Sequence, residues 1–281
     1  MPSLKDYRDR IASVKSTKKI TSAMKMVAAS KLKKAQDQAE ASQPYARAMG
    51  EMLARVAGGV TITSASPKLL IGTGSDQTHL LVVVTSDRGL CGGFNGNLIR
   101  LARLEIMRLE GEGKTVKLIT VGRKAKDLLK RAHKDKILHS FTGIGASSRV
   151  NFSEANEITQ MVLEQFEAGN VDVVSMVYNN FKSVLTQEPN VQQIIPFKLA
   201  ENTEVEVDED KADTQEFASP YSFEPEENEI LGQLLPKNLG VQMFRSLLDS
   251  AAGEQAARMT CLLYTSPSPR DQRGSRMPSS A

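Results

Sequence analysis

Ile20-Thr-Ser-Ala-Met-Lys-Met-Val-Ala-Ala-Ser-Lys-Leu-Lys-Lys-Ala35 lies near the middle of a stretch, residues 4 to about 56, whose reading decides the fold. Apolar residues recur there at steps of three and four. They run Leu4, Tyr7, Ile11 and Val14, then Ile20, Met24 and Val27, then Leu32, Ala35 and Ala39, then Ala46, Met49, Leu53 and Val56. That spacing is one face of an α-helix, drifting as a coiled-coil seam drifts. Such a helix is roughly 80 Å long at 1.5 Å per residue. A domain of this size cannot cover it, so part of it projects toward another helix or a partner. Two features qualify the pattern. Pro44 lacks an N–H and is expected to kink the helix or split it after Gln43. The apolar stripe also changes phase between Val14 and Ile20.

The same helix is basic. No acidic residue stands between Arg10 and Lys34, whereas Lys15, Lys18, Lys19, Lys25, Lys31, Lys33 and Lys34 do. A solvated polar face is one reading. A surface that faces acidic groups of a protein, membrane or nucleic acid is the other, because like charges at this density repel along the helix unless a partner compensates them. The opposite charge lies at 201–229, a strongly acidic stretch with Lys211 as its only base. The net charge of the 281 residues is only +3, but it is unevenly distributed.

Hydrophobic content of 40% and charged content of 25% are those of an ordinary water-soluble fold. No run approaches the ~18 consecutive apolar residues of a membrane span, and no apolar signal segment opens the chain. Membrane contact is therefore expected to be indirect. Cys91 and Cys261 make neither a metal spacing nor a disulfide framework. His79, His133 and His139 are scattered, so no metal site is expected.

After Gly58-Gly59, residues 59–78 read as a linker, and then the period changes. Residues 79–85 form a continuous β-branched run, as expected of a strand buried on both faces. Helices follow at 94–110, 124–132 and 153–168, the last with Ser153 as its cap. Strands fall at 115–121, 137–141, 171–178 and 191–197. Alternating strands and helices imply a mainly parallel sheet, a Rossmann-like α/β domain over 79–200. Residues 201–225 read as an acidic loop (201–216) followed by a possible edge strand (219–223). The helical period returns at 226–260, where Pro236 is expected to open a new helix after a break. The expected fold class is α/β: an antiparallel coiled coil of the N-terminal helix (1–58) and the C-terminal helix, with the α/β domain inserted between its arms.

One stretch has the form of a ligand site: Thr85-Ser-Asp-Arg-Gly-Leu-Cys-Gly-Gly-Phe-Asn-Gly-Asn97, which leaves a strand and opens a helix. Its glycines match neither the dinucleotide spacing nor a P-loop, and the second strand ends Thr120-Val-Gly-Arg123 without the acid that would hold a ribose. A tight structural turn is the stronger reading. Asp87 and Arg88 either pair locally or meet a partner, and Cys91 is a small packed residue with nothing near it in sequence to activate it. No catalytic pair or triad is present, so an enzyme acting alone is not expected. Two other classes remain as alternatives: a nucleotide-binding α/β enzyme, and a basic coiled-coil module for nucleic acid. The latter lacks the interleaved aromatics of a single-strand binder.

The motifs together resemble the gamma subunits of F-type ATP synthases over nearly all of residues 1–260. The specific pieces are Ile20-Thr-Ser-Ala-Met-Lys-Met-Val-Ala-Ala-Ser-Lys31, Asp87-Arg-Gly-Leu-Cys-Gly-Gly93 and Glu254-Gln-Ala-Ala-Arg-Met259, in that order. The resemblance implies a central-stalk rotor that makes no bonds itself. Proton flow turns a membrane ring, the ring turns the shaft, and the coiled coil drives the catalytic subunits through their states. Implied partners are the alpha and beta subunits of the head, the epsilon subunit and the membrane c-ring, with no cofactor and no nucleic acid. Met24, Lys25, Lys31, Lys33 and Arg258 are then expected to contact the head. Asp87, Arg88, Gly89, Cys91, Gly92 and Gly93 are expected to form a structural turn or a further contact. The implied location is peripheral, on the cytoplasmic side of a bacterial inner membrane rather than the matrix side of a mitochondrial one. Family members continue the last helix well beyond the Glu254–Met259 motif. Here Thr260 is followed by a segment rich in Ser, Pro and Arg, with Pro267, Pro269 and Pro278. Residues 261–281 are therefore expected to be a non-native, disordered tail, arising from a frameshift or from foreign sequence at a broken gene end. Without the rest of that arm the first helix would lack a partner over its N-terminal half.

Overall fold

Two long helices and a five-stranded sheet make up the computed structural model, which describes residues 3–59, 66–145, 149–197 and 227–265. Helix α1 spans Leu4–Gly59 without a break, roughly 84 Å at 1.5 Å per residue. The split expected at Pro44 does not occur. The bond that Pro44 cannot make is the one to the carbonyl of Glu40, and both residues are on the solvent side, where water replaces the lost donor. Helix α6, Glu227–Thr265, likewise runs through Pro236, so no new helix opens there. Pro236 forgoes a bond to the carbonyl of exposed Gly232, while Leu235 and Leu239 on either side of it are buried.

The two helices pack antiparallel. At one end Met49, Leu53 and Val56 meet Leu231 and Leu235. Further along, Leu32 and Ala35 meet Ala252 and Ala256. The small residues at this second contact let the helix axes approach closely. Helix α6, expected to end at Thr260, continues to Thr265. The added turn contains no Pro or Gly, and its Leu262 is 2% exposed. Residues 266–281, the acidic loop expected at 201–216 and the edge strand expected at 219–223 lie outside the described residues.

Between the arms the chain forms α2 (Lys68–Ile71), β1 (Thr78–Val84), α3 (Phe94–Gly111), β2 (Thr115–Val121), α4 (Arg123–His133), β3 (Ile137–Phe141), α5 (Phe152–Glu167), β4 (Val173–Phe181) and β5 (Gln187–Ile195). The short α2 lies within the stretch read as a linker. The sheet order is β3-β2-β1-β4-β5. Its first four strands are parallel, and β5 pairs antiparallel with β4. The fifth strand begins earlier than the sequence pattern suggests, and it includes Pro189. That proline is tolerated because β5 is an edge strand, and the short loop from β4 permits only an antiparallel return.

Helix α5 begins at Phe152 with Asn151 as its cap, not at Ser153. The Glu154 carboxylate accepts the N–H of Asn151 at 2.9 Å, a capping box read two residues off because Asn151 precedes a half-exposed aromatic residue. Alternate residues of β1 serve two cores. Leu81 and Val83 pack with α3 and α4 on one face. Leu80, Val82 and Val84 pack on the other with α5 and with Leu239, Met243, Leu247 and Leu248 of α6. Helix α6 is therefore both an arm of the coiled coil and a layer of the α/β domain.

Candidate functional site

The turn after β1 is assembled from short polar side chains. Thr85 Oγ1 accepts the N–H of Ala125 at 2.8 Å, which ties β1 to the start of α4. Gly122 has φ +96°, and a Cβ there would stand 2.3 Å from the Thr85 carbonyl oxygen, so only glycine fits. The Asp87 carboxylate accepts two backbone N–H groups, Arg123 at 2.8 Å and Gly143 at 2.8 Å. One acid thus ties together the loops after β1, β2 and β3. It also occupies the first N–H of α4.

Asn95, in the first turn of α3, holds the other side of the loop. Its Oδ1 accepts the N–H of Ser86 at 3.1 Å, and its Nδ2 donates to Cys91 Sγ at 3.0 Å. Ser86 Oγ donates to the Arg88 carbonyl at 2.7 Å. Cys91 is buried, and burial pushes its thiol pKa up. It is a packing residue and not an activated nucleophile. The sequence pattern passed over Leu90, which sits at φ +62° with its side chain 59% exposed. It is the only non-glycine residue with positive φ among the described residues, and its apolar side chain projects from the tip of the turn.

The turn packs on α6. Arg258 pairs with Glu254 at 2.6 Å and donates to the Gly89 carbonyl at 3.4 Å. Burial raises the carboxyl pKa of Glu254, Arg258 and Lys31 oppose that shift, and Asp87 adds to it. Three of the expected contact regions therefore meet at one place: Lys31 of α1, the 87–93 turn and Arg258 of α6. Met24 and Lys25, half-buried, lie one helical turn beyond buried Ala28, and Lys33 is exposed. Farther toward the N-terminus α1 is bare. Leu4, Tyr7, Ile11 and Ile20 are all more than half exposed, among exposed Lys15, Lys18 and Lys19. Among the described residues no cluster of His, Cys, Asp and Glu is arranged to hold a metal ion. No helix among them is long and apolar enough to cross a membrane.

A family model described as ATP synthase matches residues 3–263. The chain is 51% identical over 264 residues to the ATP synthase gamma chain of Parvibaculum lavamentivorans, covering 93% of this chain and 86% of that one. It is 48% identical over 262 residues to the ATP synthase gamma chain of Rhodospirillum rubrum, covering 93% and 87%. In three dimensions it is similar to a chain of the Tetrahymena thermophila mitochondrial ATP synthase central stalk and c-ring. The TM-score is 0.61 at 27% identity, over 88% of this chain and 100% of that one. A chain of the Euglena gracilis mitochondrial ATP synthase rotor shares the fold, with a TM-score of 0.57 at 18% identity over 92% and 89%.

Proposed function

The chain belongs to the family of ATP synthase gamma chains, the central-stalk rotor of the rotary enzyme, and from that premise we propose how its parts share the work. It is a mechanical element. Proton flow through the membrane sector turns it, and its rotation couples that flow to ATP synthesis in the head. The chain forms and breaks no bonds itself, because bond-making belongs to the head subunits. The α/β domain takes torque from the c-ring and the epsilon subunit at the cytoplasmic face of a bacterial inner membrane. The paired helices α1 and α6 deliver it to the alpha and beta subunits.

The observation that carries this reading is the double role of α6. Its Leu239, Met243, Leu247 and Leu248 are part of the sheet's core, and its Ala252 and Ala256 seat against α1. A twist applied to the sheet therefore reaches the arms through continuous helix, with no hinge between. The bare lysines of α1 suit contacts with acidic loops that must form and release in each turn, since rim charges speed and steer encounter without locking it. The coupling is reciprocal, so ATP hydrolysis drives the shaft backward and pumps protons.

Reconstitution tests the proposal. The full chain is mixed with alpha, beta and epsilon subunits of a bacterial relative and restored to membranes stripped of their own head. Stoichiometric co-assembly and ATP-driven proton pumping are expected. Assembly with no acidification, or no assembly, overturns the reading.

A further inference from the structure

On the face of the sheet away from α5 and α6, helices α3 and α4 lie side by side. The Arg103 guanidinium donates to the Leu128 carbonyl at 2.9 Å, and Lys136 pairs with Glu110. These two contacts bring 103–110 of α3 beside 128–136. Met107 stands one helical turn from both Arg103 and Glu110 on the same side of α3 and is 57% exposed, and Leu104 next to it is 52% exposed. From Arg123 to Lys136 the chain carries seven Lys or Arg against only Asp127 and Asp135. Of those seven, Lys136 alone is in an ion pair among the described residues. Arg103 donates to a carbonyl and not to a carboxylate, while Glu105 is already held by Arg108 at 2.7 Å. Burial lowers the pKa of His133, between the two helices; the charges of Lys136 and Arg103 add to that shift and Glu110 opposes it. Positive charge therefore gathers on this face with little to compensate it.

Like charges on neighbouring turns repel, so an anionic surface laid against them is favoured by attraction and by relief of that repulsion. Two features choose among anionic partners. Five of the seven are lysines, hydrated point charges on flexible stems that follow a diffuse field, whereas arginine is the residue that fixes a single carboxylate or phosphate. Leu104, Met107 and exposed Leu128 also set long apolar side chains among the charges. Such side chains gain by entering the boundary between lipid headgroups and acyl chains, and the phosphate backbone of a nucleic acid offers them nothing. We propose that the outer face of α3 and α4 docks on the anionic headgroups of a phospholipid bilayer. Lys130, Arg131 and Lys134 lie over the phosphates, and Leu104 and Met107 enter between them. The proposal rests on the rotor reading only for where a bilayer is met; the contact itself is a property of this surface.

The chain contains no tryptophan, so Met107→Trp places a single fluorescent reporter in this face. The full chain carrying it is titrated with vesicles of equal parts phosphatidylglycerol and phosphatidylcholine, and with vesicles of phosphatidylcholine alone. A saturable blue shift is expected with the first and none with the second, and raising NaCl from ~0.05 M to ~0.5 M is expected to reverse it. The combined change Lys130→Gln, Arg131→Gln and Lys134→Gln is expected to weaken binding about a hundredfold, at roughly fivefold per charge. Should that variant fail to fold by circular dichroism, Lys130→Gln alone is expected to weaken binding roughly fivefold. Ile11→Trp reports in the same way from the bare half of α1. A blue shift from Ile11→Trp while Met107→Trp stays in water overturns the proposal, as does a Met107→Trp shift that survives loss of the α4 charges. Polyglutamate that binds saturably where the vesicles give no shift assigns the face to an acidic protein and also overturns it. No head or ring subunit is present, so failure here leaves the rotor reading to be decided by reconstitution.

Discussion

Leu90 holds a φ of +62°, a conformation that costs an L-residue roughly 1–2 kcal/mol. The neighbouring hydrogen bonds from Ser86 to the Arg88 carbonyl and from Arg258 to the Gly89 carbonyl fix the turn in that shape. The strain leaves an apolar tip in solvent, which suits a residue kept for contact with a partner. Leu90→Gly is expected to leave the urea midpoint unchanged or raise it, while lowering proton pumping per ATP hydrolysed. A fall in stability without loss of pumping would assign Leu90 to structure alone. Asp87 gives the opposite expectation. Asp87→Asn weakens two charge-assisted bonds to Arg123 and Gly143 and is expected to cost about 1.5–3 kcal/mol in urea unfolding. The glycine-rich spelling of this turn hid Leu90, because glycine is the residue expected to carry a positive φ. Here Gly92 does carry one, at φ +54°, but Gly93 sits at φ −78° and Leu90 takes a positive φ as well.

Among the elements, α6 has the most to do and shows the clearest pH response. Burial pushes the Asp249 carboxyl up from 3.8 to about 6, partly opposed by Arg245 on the same helix, and Tyr178 of β4 feels its charge. The folded state therefore holds this proton more tightly than the unfolded chain does. Its favourable contribution is complete below the unfolded value and is lost as the pH rises from about 4 to about 6. Asp249→Asn is expected to match the wild-type Tm near pH 4 and exceed it at about pH 7.5. Parallel Tm curves for the two proteins across that range would rule the effect out. Helix boundaries were less legible than helix existence. Proline reads as a break in any sequence, yet Pro44 and the carbonyl it leaves free, on Glu40, both face solvent. Only the packed neighbours reveal that the helix is held on its other side.

For the whole molecule, the quantity of interest is coupling and not affinity. Met24 and Lys25 lie on the stretch of α1 proposed to meet the head, half-buried one helical turn before buried Ala28. Lys25→Glu reverses one steering charge and is expected to leave assembly intact while reducing protons pumped per ATP hydrolysed, an effect that shrinks as salt is raised. Unchanged pumping at low salt would count against the contact. A defect in assembly with normal pumping in the assembled fraction would place Lys25 in structure instead.

Periodicity and motif content by themselves determined the long terminal helices, the buried first strand, the mainly parallel α/β middle and the family. Those features arise from local rules, the period of 3.6 against 2 and the glycine spacing of one turn, which are written along the chain. The tertiary structure alone decided that α6 serves two cores at once, that the 87–93 turn docks on Glu254 and Arg258, and that Asp87 ties three loops together. Each of these joins residues far apart in sequence. Glu254 is 167 positions from Asp87 (254 − 87) and reaches its neighbourhood only because the sheet and the helix pair fold it back. A single sequence carries no period or spacing that records such a meeting, because it follows from packing the elements and not from the preference of any one of them.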